Sequence, residues 1–439
     1  MQSGKPAPEP GPGDGLVELV AGEVAHGGWC VAREPGGRVV FVRHALPGER
    51  IRARITDATA RFARAEAVEI IEPSPDRVEP PCPHARPGGC GGCDWQHASL
   101  AAQRRLKAQV VRQQFRRIAG LDPEVTVEPV AGDRDGLDWR TRVRFTVRPD
   151  GTPGLLRHRS HEVVAVGDCP IAHPLVLSTG VSRRRWEGAR WAEVAVSVAS
   201  GERAVIVAPR TARAVSAAGE LPAEAAETVM AARGDRLTPL RGRGYLRQEA
   251  AGREWRTGAG VFWQGHPGAA GALTEAVLAA LRPQPGDTAL DLYCGAGLFA
   301  GALAAAVGPE GTVTGVEADP VAVRDARHNL RSMPWARILR GDTAAVLGRG
   351  GWPGARLAVL DPPRTGVGRA VIGPLLSPPA AGGARAALAR VAYVSCDPAT
   401  LARDVAVFAE AGWRLEALRG FDIFPMTHHV ECVATLTAP

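Results

Sequence analysis

Cys396 is the residue of this sequence whose position best suits covalent chemistry. It stands where an apolar run ends and where a helix with Pro398 in its first turn is predicted to begin. A helix start has unpaired backbone N–H groups and the positive end of the helix dipole, and both favour a thiolate. Asp397 opposes that ionisation by charge repulsion. A buried structural cysteine is the alternative, because most free cysteines in proteins are of that kind.

Four further cysteines form a second group of reactive side chains. Cys82, Cys90 and Cys93 lie on a loop rich in Gly and Pro, and Cys169 lies in a second turn. Four soft thiolates on flexible loops suit an iron–sulfur cluster, and glycines let the backbone approach inorganic sulfide. A zinc site formed by these three loop cysteines with either Cys169 or His97 satisfies the same spacing rules. Spacing alone leaves both metals open.

The composition predicts a soluble protein of about three domains, with 439 residues of which 45% are hydrophobic. No stretch approaches the roughly 20 apolar residues of a membrane span. Residues 1–15 are rich in Pro and Gly without a signal pattern, and we predict a short disordered tail. Eight cysteines without a secretion signal favour metal binding or catalysis in the cytoplasm over a disulfide framework. The net charge of +7 indicates an acidic partner such as nucleic acid.

Two basic elements strengthen the case for nucleic acid. A helix is predicted over 100–121, with Val111, Phe115 and Ile118 on one apolar face. Residues 95–121 contain six Lys or Arg and no Asp or Glu, so we expect a positive outer face. Strict alternation over 139–147 predicts a strand, and it directs three arginines to one side: Arg140, Arg142 and Arg144. Arginine suits phosphate recognition because its planar fork donates hydrogen bonds in pairs.

The C-terminal part alternates strand-like runs with Ala-rich helices from about residue 261, which predicts a doubly wound parallel sheet. Segment 288–300 has the pattern of a strand, a turn and a helix, and Gly295 and Gly297 allow a ligand close to the backbone. Glu317, Asp342 and Asp361 end the following strands, where side chains converge on the ligand crevice of such sheets. A nicotinamide dinucleotide site also fits the glycine turn, and each carboxylate could instead cap a helix.

Four motifs in order resemble the RNA uracil-5-methyltransferase family. They are Asp-Leu-Tyr-Cys-Gly-Ala-Gly at 291–297, Asp-Pro-Pro-Arg-Thr-Gly at 361–366, Ser-Cys-Asp-Pro-Ala-Thr-Leu-Ala-Arg-Asp at 395–404 and His-Val-Glu at 429–431. The patterns at 22–29 and 41–51 resemble the TRAM domain, an OB-like RNA-binding module, and short β-type runs there predict a small barrel. Segment 90–96 with Cys169 is similar to the cluster-bearing 23S rRNA members.

The resemblance implies a multidomain fold. We expect an N-terminal OB-like β-barrel (TRAM) over 16–73 and a central α+β domain with the cysteine cluster and the basic helix over 74–260. A C-terminal α/β Rossmann-like methyltransferase domain would follow over 261–439. The resemblance also favours a four-iron four-sulfur cluster over zinc.

The resemblance further implies an S-adenosylmethionine-dependent enzyme that forms 5-methyluridine in RNA, with 23S rRNA favoured over tRNA. Carbon 5 of uracil is a weak nucleophile, so a thiolate must first add at carbon 6. Cys396 matches that nucleophile, and Glu431 matches the base that removes the carbon-5 proton. The positions carried over as S-adenosylmethionine contacts are Gln264, Tyr293, Glu317 and Asp361, and Asp342 is a further candidate from its place at a strand end.

The sequence departs from the family pattern at His266, at Leu298 and in the seven residues that separate Cys82 from Cys90. The first two changes keep open a non-catalytic RNA-binding protein that retains the fold. A nicotinamide dehydrogenase has no use for Cys396. We expect a monomer that acts on a uridine in a loop or flipped out of its stack. The sequence does not identify that uridine.

Overall fold

The computed structural model describes residues 16–349, 354–377 and 387–439. The predicted disordered tail, residues 1–15, lies outside the described residues. The chain divides into two compact units. The first contains the residues up to Val110 with segments 156–164 and 425–428, and the second contains 111–155, 165–424 and 429–439. The domain boundaries given from the sequence stay predictions.

Among the described residues of the first unit, six strands form a curled sheet. They are β1 (Leu16–Val20), β2 (Val24–Ala25), β3 (Trp29–Arg33), β4 (Val39–Arg43), β5 (Arg50–Ala58) and β6 (Phe62–Glu72). Their order is β1-β5-β6-β4-β3-β2, and neighbours are antiparallel except the parallel pair β4 and β6. Ala21 N–H donates to Glu49 O and Gly22 N–H to Val31 O, both at 2.8 Å. The segment after β1 therefore bonds to two parts of the sheet and curls it. Barrel closure stays a prediction.

The strands of this sheet alternate between buried and outward-facing side chains. Val40 and Val42 of β4 and Ala63 and Ala65 of β6 are fully buried, as the two-residue period of a strand requires. The outward arginines form ion pairs within the sheet: Arg50 with Glu18 and Glu72, Arg52 with Glu69, and Arg64 with Asp57. Much of the positive charge on these strands is therefore already balanced.

A loop over 73–99 leads from β6 to α1 (Leu100–Gln114), and the first unit also contains β10 (Val163–Val164). Trp95 anchors this loop. Its side chain is 1% exposed, and its indole N–H donates to Gly28 O at 3.1 Å. The ring packs in a small core with Val24 and Leu46. The loop that carries three of the cysteines is thus tied to the sheet.

Helix α1 ends in a π-helical turn, Phe115–Ala119, before Gly120 at φ +67°. Val111 and Phe115 are fully buried, as predicted, but Ile118 is 42% exposed. The prediction that Ile118 shares their face is wrong. A π-helical turn bonds residue i to i+5, which rotates the side chains that follow it out of the α-helical register.

The second unit is built on a mixed sheet. Its strands are β7 (Val127–Glu128), β17 (Thr288–Leu292), β18 (Thr312–Glu317), β19 (Ala336–Arg340), β20 (Leu357–Leu360), β21 (Arg390–Ser395), β22 (Arg414–Phe421) and β23 (Glu431–Thr437). Their order is β19-β18-β17-β20-β21-β23-β22-β7. The run from β19 to β21 is parallel, which confirms the predicted doubly wound sheet there. Strand β23 is antiparallel to both of its neighbours.

Helices alternate with these strands along the chain. They are α4 (Ala269–Leu281), α5 (Leu298–Val307), α6 (Pro320–Asn329), α7 (Thr343–Gly348), α8 (Gly368–Leu376) and α9 (Pro398–Glu410). Strand β20 is buried along its whole length, as expected for a parallel strand covered on both faces. Asp319 caps α6 by accepting from Val321 N at 2.7 Å and Ala322 N at 2.8 Å.

A second sheet of this unit has the order β9-β8-β11-β12-β13-β14. The bounds are β8 (Arg142–Val147), β9 (Pro153–Leu156), β11 (Ala189–Val196), β12 (Arg203–Pro209), β13 (Thr228–Arg233) and β14 (Arg236–Arg241). The hairpin β15 (Tyr245–Ala250) and β16 (Arg253–Gly258) and the short helices α2 (Pro174–Ser178) and α3 (Ala212–Gly219) complete the unit. Val143, Phe145 and Val147 of β8 are buried, which confirms the alternation read from the sequence. No helix within the described ranges is long and apolar enough to cross a membrane.

Glu49 gives a test of the first unit's stability. Its side chain is fully buried and accepts hydrogen bonds from Leu46 N at 2.7 Å, Ser74 N at 3.1 Å and Arg77 Nη2 at 2.7 Å. We expect Glu49→Gln to lower the free energy of unfolding by about 1–3 kcal/mol, because a buried amide cannot replace all three bonds. Denaturant unfolding of the full chain measures this change.

Burial alone would raise the pKa of Glu49, but the hydrogen bonds from Arg77 and the backbone lower it below its ordinary value of 4.5. A carboxyl with a lowered folded-state pKa stabilises above its unfolded pKa and loses that contribution as the pH falls. The difference between Glu49→Gln and the original chain should therefore shrink below about pH 4.5. Glu69→Gln, which changes an exposed partner of Arg52, is the matched control and should have little effect. Equal effects of the two substitutions would contradict this account.

Candidate active site

The carboxyl ends of the parallel strands form one edge of the sheet, where ligands bind in folds of this kind. Four predicted site residues lie at this edge. Tyr293 follows β17, Glu317 ends β18, Asp361 follows β20 and Cys396 follows β21. Strand β23 runs the other way, and Ser395 of β21 pairs with Cys432 of β23. Glu431, the first residue of β23, therefore lies at the same edge as Cys396.

Cys396 lies directly before Asp397, which is the N-cap of α9. The Asp397 carboxylate accepts from Ala399 N at 3.0 Å and Thr400 N at 2.9 Å, so it takes the free N–H groups of the helix start. Burial, followed by the Glu431 carboxylate, raises the pKa of the Cys396 thiol to about 11. Burial and Glu431 therefore outweigh the favourable effect of the helix start on the Cys396 thiolate.

Two carboxyl groups share the surroundings of this thiol. Glu431 is only 5% exposed, and burial followed by the charge of Asp361 raises its pKa well above the usual range. Burial raises the pKa of Asp361 to about 7, although part of that residue reaches the surface. A carboxyl whose pKa is raised is a stronger base once it has lost its proton. Glu431 is thus a strong proton acceptor in its ionised form.

Arg364 is a cation of the site, although no sequence pattern predicts a role for it. The charge of its guanidinium lowers the pKa of both the Cys396 thiol and Glu431. Its Nη2 also donates to Nε2 of His429 at 3.4 Å. The signal was present, since Arg364 is the one basic residue of the motif at 361–366.

The glycine turn after β17 has the conformation that was predicted for a turn close to a ligand. Gly295 at φ +52° and Gly297 at φ +91° adopt conformations that favour glycine, and a Cβ at Gly295 would meet no atom within 4 Å. Open space therefore lies beside the turn. Glu317 accepts from Gly295 N at 2.9 Å and from Ala318 N at 2.7 Å. Its carboxylate is held at the end of β18, and its remaining lone pairs can accept hydroxyl groups.

The other predicted cofactor contacts have different surroundings. Tyr293 has φ +67°, and burial raises the pKa of its phenol. Asp342 is exposed and caps α7 by accepting from Ala345 N at 2.9 Å. The capping alternative is thus realised for Asp342. Gln264 is 8% exposed in the loop between β16 and α4, where it lines a small cavity with Arg142.

The two departures from the family pattern have structural roles. His266 is 1% exposed, stacks on Trp139 with ring centroids 6.1 Å apart, and accepts from Gly268 N at 3.1 Å through Nδ1. Burial lowers the pKa of His266, which favours the neutral ring. Leu298 begins α5 and is buried in the core of the second unit. His266 therefore supports its own loop, and Leu298 packs in the core of the second unit.

The cysteine loop is shaped by close backbone contacts. A Cβ at Gly89 would lie 2.2 Å from His84 O, and one at Gly91 would lie 2.5 Å from His158 N. These glycines are thus required by the packing of the protein backbone itself. Cys82 is buried, and Cys90 and Cys93 are partly exposed. Within the described ranges, no three His, Cys, Asp or Glu side chains come together so that they could hold a metal ion. The described geometry does not support the predicted cluster.

The basic helix is less positive than its sequence suggests. Lys107 is fully buried, and Arg105 pairs with Asp76 at 2.7 Å. Arg112 and Arg116 both pair with Asp122, at 2.6 Å and 2.7 Å. The prediction of a strongly positive outer face fails here because acidic residues outside 95–121 fold back onto the helix.

The arginine strand is compensated in the same way. Arg142 and Arg144 bind the two carboxylate oxygens of Glu193, which is 5% exposed, and Arg142 also donates to Val261 O at 2.7 Å. Arg140 lies before β8 and donates to Arg142 O at 3.2 Å. These arginines therefore hold protein segments together, and Arg144 is the one most exposed among them.

Comparison with known families agrees with this geometry. Residues 18–68 match the family model of the TRAM domain, and residues 356–438 match that of tRNA (uracil-5-)-methyltransferases. Residues 268–355 match a model of protein-L-isoaspartate(D-aspartate) O-methyltransferases. The last two ranges together contain the glycine turn, Arg364, Cys396 and Glu431.

Relatives extend the similarity over the whole chain. An RNA methyltransferase of Streptomyces avermitilis, described as uncharacterized, is 48% identical over 95% of this chain and 97% of its own. A 23S rRNA (uracil(1939)-C(5))-methyltransferase of Pseudomonas putida is 32% identical over 92% of this chain and 89% of its own. The solved tRNA (uracil-54, C5)-methyltransferase of Pyrococcus abyssi, in complex with S-adenosyl-L-homocysteine, has a TM-score of 0.71. It covers 96% of this chain and 100% of its own at 20% identity, and so shows the shared fold. The chain belongs to the RNA uracil-5-methyltransferase family and is an S-adenosylmethionine-dependent RNA methyltransferase.

Proposed function

We propose that this protein methylates carbon 5 of a uridine in 23S rRNA through a covalent bond between Cys396 and carbon 6 of the base. The observation that carries the proposal is the pairing of Ser395 with Cys432, which sets Cys396 and Glu431 at one sheet edge. Arg364 acts electrostatically on both side chains. A nucleophile, a base and a cation at one edge are what addition to a pyrimidine ring requires.

S-adenosylmethionine supplies an electrophilic methyl group. We propose that the glycine turn and five side chains hold it: Gln264, Tyr293, Glu317, Asp342 and Asp361. The open space beside Gly295 and the fixed carboxylate of Glu317 support this assignment. Asp342 is the weakest member of the set because it already caps α7.

The proposed reaction begins when the Cys396 thiol has lost its proton to solvent. The thiolate adds to carbon 6, and the electron pair of the carbon 5–carbon 6 double bond moves to give an enolate. Carbon 5 then takes the methyl group, whose bond to the donor sulfur breaks. The Glu431 carboxylate removes the carbon-5 hydrogen as a proton, the double bond re-forms, and the bond from carbon 6 to sulfur breaks.

Arg364 is proposed to assist the first step. The raised pKa of the thiol means that ionisation must be favoured when RNA is bound, and a guanidinium beside the sulfur stabilises its negative charge. The raised pKa of Glu431 makes its carboxylate a good acceptor for the carbon-5 proton. The same burial that opposes ionisation of both groups therefore strengthens them as nucleophile and base.

The RNA class rests on the relatives. The Pseudomonas putida relative is named for 23S rRNA, and the TRAM match agrees with the rRNA members that the sequence resembles. The alternative is a tRNA substrate, because the matching family model and the Pyrococcus abyssi structure carry tRNA names. We further propose that the enzyme acts as a monomer in the cytoplasm.

The first test is the substitution Cys396→Ala. We expect methyl transfer from labelled S-adenosylmethionine to 23S rRNA to be lost, because no other group can add to carbon 6. RNA that carries tritium at uridine carbon 5 should release one tritium for each methyl group transferred by the original enzyme. Cys30→Ala, which changes a buried thiol of the first unit, should keep both signals. Methylation with retained tritium would contradict the mechanism, and methylation of tRNA alone would favour the alternative substrate.

The second test follows the ionisation of the thiol. We expect alkylation of Cys396 by iodoacetamide to be slow at pH 7 and still to increase above pH 9, because the pKa is raised to about 11. Glu431→Gln should lower that pKa, because the Glu431 carboxylate contributes to the rise. Mass spectrometry of the peptide that contains Cys396 follows the reaction. Glu410→Gln, an exposed change at the end of α9, should leave the dependence of alkylation on pH unaltered. An unchanged profile in Glu431→Gln would contradict the site as described.

The third test concerns the cysteine cluster, which stays a prediction from the family resemblance. If it is present, protein purified without oxygen should contain iron and acid-labile sulfide, and Cys93→Ser should lose both. Cys30→Ala is again the control. Zinc without sulfide would identify the zinc alternative, and the absence of both metals would remove the cluster from the account.

A further inference from the structure

Asp404 is a buried carboxylate near the middle of α9 that the proposed mechanism does not use. It is fully buried, and its Oδ2 accepts from Val367 N at 2.8 Å and from the Tyr393 hydroxyl at 2.7 Å. Its Oδ1 accepts from Gly368 N at 3.2 Å and from Arg403 Nε at 3.1 Å. A carboxylate is the side chain that fits here, because it only accepts hydrogen bonds and all four partners donate.

Two of these donors belong to the turn that follows Arg364. Val367 is the N-cap of α8 and Gly368 is its first residue, so Asp404 satisfies free N–H groups at the start of a neighbouring helix. Arg403 holds the same turn from the other side, since its Nη2 donates to Thr365 O at 2.7 Å. Residues 365–368 are thus fastened to α9 at three backbone positions.

The turn is shaped to fit this carboxylate. Gly366 has φ +72°, and a Cβ built there would lie 2.5 Å from Asp404 Oδ2. Gly368 has φ +61°. Gly366 N donates to Pro363 O at 2.9 Å, which closes a tight turn around Arg364. The backbone that carries Arg364 is therefore set by its contact with Asp404.

Arg364 is the group of this site whose placement matters most. Glu431 and Asp361 raise the pKa of the Cys396 thiol, and Arg364 lowers it. Cys432 is a further buried thiol beside this pair, and its own pKa is raised by burial. A shift of the guanidinium away from the sulfur would leave the acidic groups unopposed.

We infer that Asp404 is a positioning residue, which fixes the 365–368 turn and thereby holds the Arg364 guanidinium against the Cys396 thiol and His429. This inference rests on the proposed function for its effect on methyl transfer. Its effect on the thiol does not require RNA or S-adenosylmethionine. The motif at 395–404 thus contains both Cys396, the proposed nucleophile, and Asp404, which holds the turn that carries Arg364.

The test is the substitution Asp404→Asn, with two measurements. Alkylation of Cys396 by iodoacetamide as a function of pH gives the pKa of the thiol, and steady-state assays give kcat and KM for methyl transfer. We expect the thiol pKa to rise, as in Arg364→Ala, and kcat to fall by about tenfold to a hundredfold with little change in KM for RNA. Loss of a nearby negative charge would by itself lower the thiol pKa. A rise therefore reports displacement of Arg364.

A double substitution separates positioning from a general loss of structure. In the Arg364→Ala background, Asp404→Asn should change the thiol pKa no further, because Asp404 acts on the thiol through Arg364. Asp325→Asn removes another fully buried carboxylate that accepts from a backbone N–H, that of Gly258, and should leave the thiol pKa unchanged. A lowered or unchanged thiol pKa in Asp404→Asn, or an additive double variant, would overturn the inference.

Arg403→Ala keeps the test available if Asp404→Asn does not fold. The Arg403 side chain is 49% exposed, so its loss should be tolerated, and it donates to both Thr365 O and Asp404. We expect a smaller rise of the thiol pKa in the same direction, but loss of the Arg403 charge would by itself also raise that pKa. Arg403→Lys keeps the charge and loses the planar fork that reaches both partners, so it should show the rise as well. No rise in Arg403→Lys would contradict the inference. If the unsubstituted chain transfers no methyl group, the proposed function fails while the alkylation profiles still decide the role of Asp404.

Discussion

The antiparallel pairing of β23 with β21 is the constraint on which the site depends. A parallel strand in that place would carry its first residue to the opposite edge of the sheet. Because β23 runs backwards, Glu431 begins its strand where β21 ends and Cys396 follows. Two residues 35 positions apart in the chain thus meet at the edge that also receives the glycine turn and Glu317. The sheet topology itself brings the proposed base to the proposed nucleophile.

Burial then sets the chemistry of the groups that meet there. It raises the pKa of the Cys396 thiol, of Glu431 and of Asp361 together, so the resting site opposes negative charge. Arg364 acts against this tendency, and α9 holds the turn that carries it through Asp404. The same helix is capped by Asp397, which removes the help that a free helix start would give the thiolate. In the proposed mechanism, activation of the sulfur thus depends on Arg364, a side chain from another loop.

The sequence predicts those features that depend on residues close to one another in the chain. The alternation of strands and helices gave the parallel sheet from β17 to β21, and polar residues after apolar runs gave Glu317, Asp361 and Cys396 at its edge. The alternation in β8 was also correct. Features that depend on distant partners could not be read in this way. Glu193 lies 51 and 49 positions from Arg142 and Arg144, which it neutralises, and the π-helical turn that exposes Ile118 has no signal in the apolar spacing. Asp122 stands just beyond the segment 95–121, and only the fold shows that it pairs with Arg112 and Arg116. Arg364 lies in a recognised motif, but its electrostatic effect on Cys396 and Glu431 can be seen only in the folded structure.

The central claim is that the sulfur of Cys396 forms a bond to carbon 6 of the target uracil. RNA that contains 5-fluorouridine tests it directly, because fluorine cannot leave as a cation and the reaction should stop at the methylated covalent adduct. The account predicts a stable protein–RNA complex in the presence of S-adenosylmethionine, in which mass spectrometry finds the modified nucleotide on the peptide that contains Cys396. A complex at another residue, or no complex from an enzyme that methylates ordinary RNA, would contradict it.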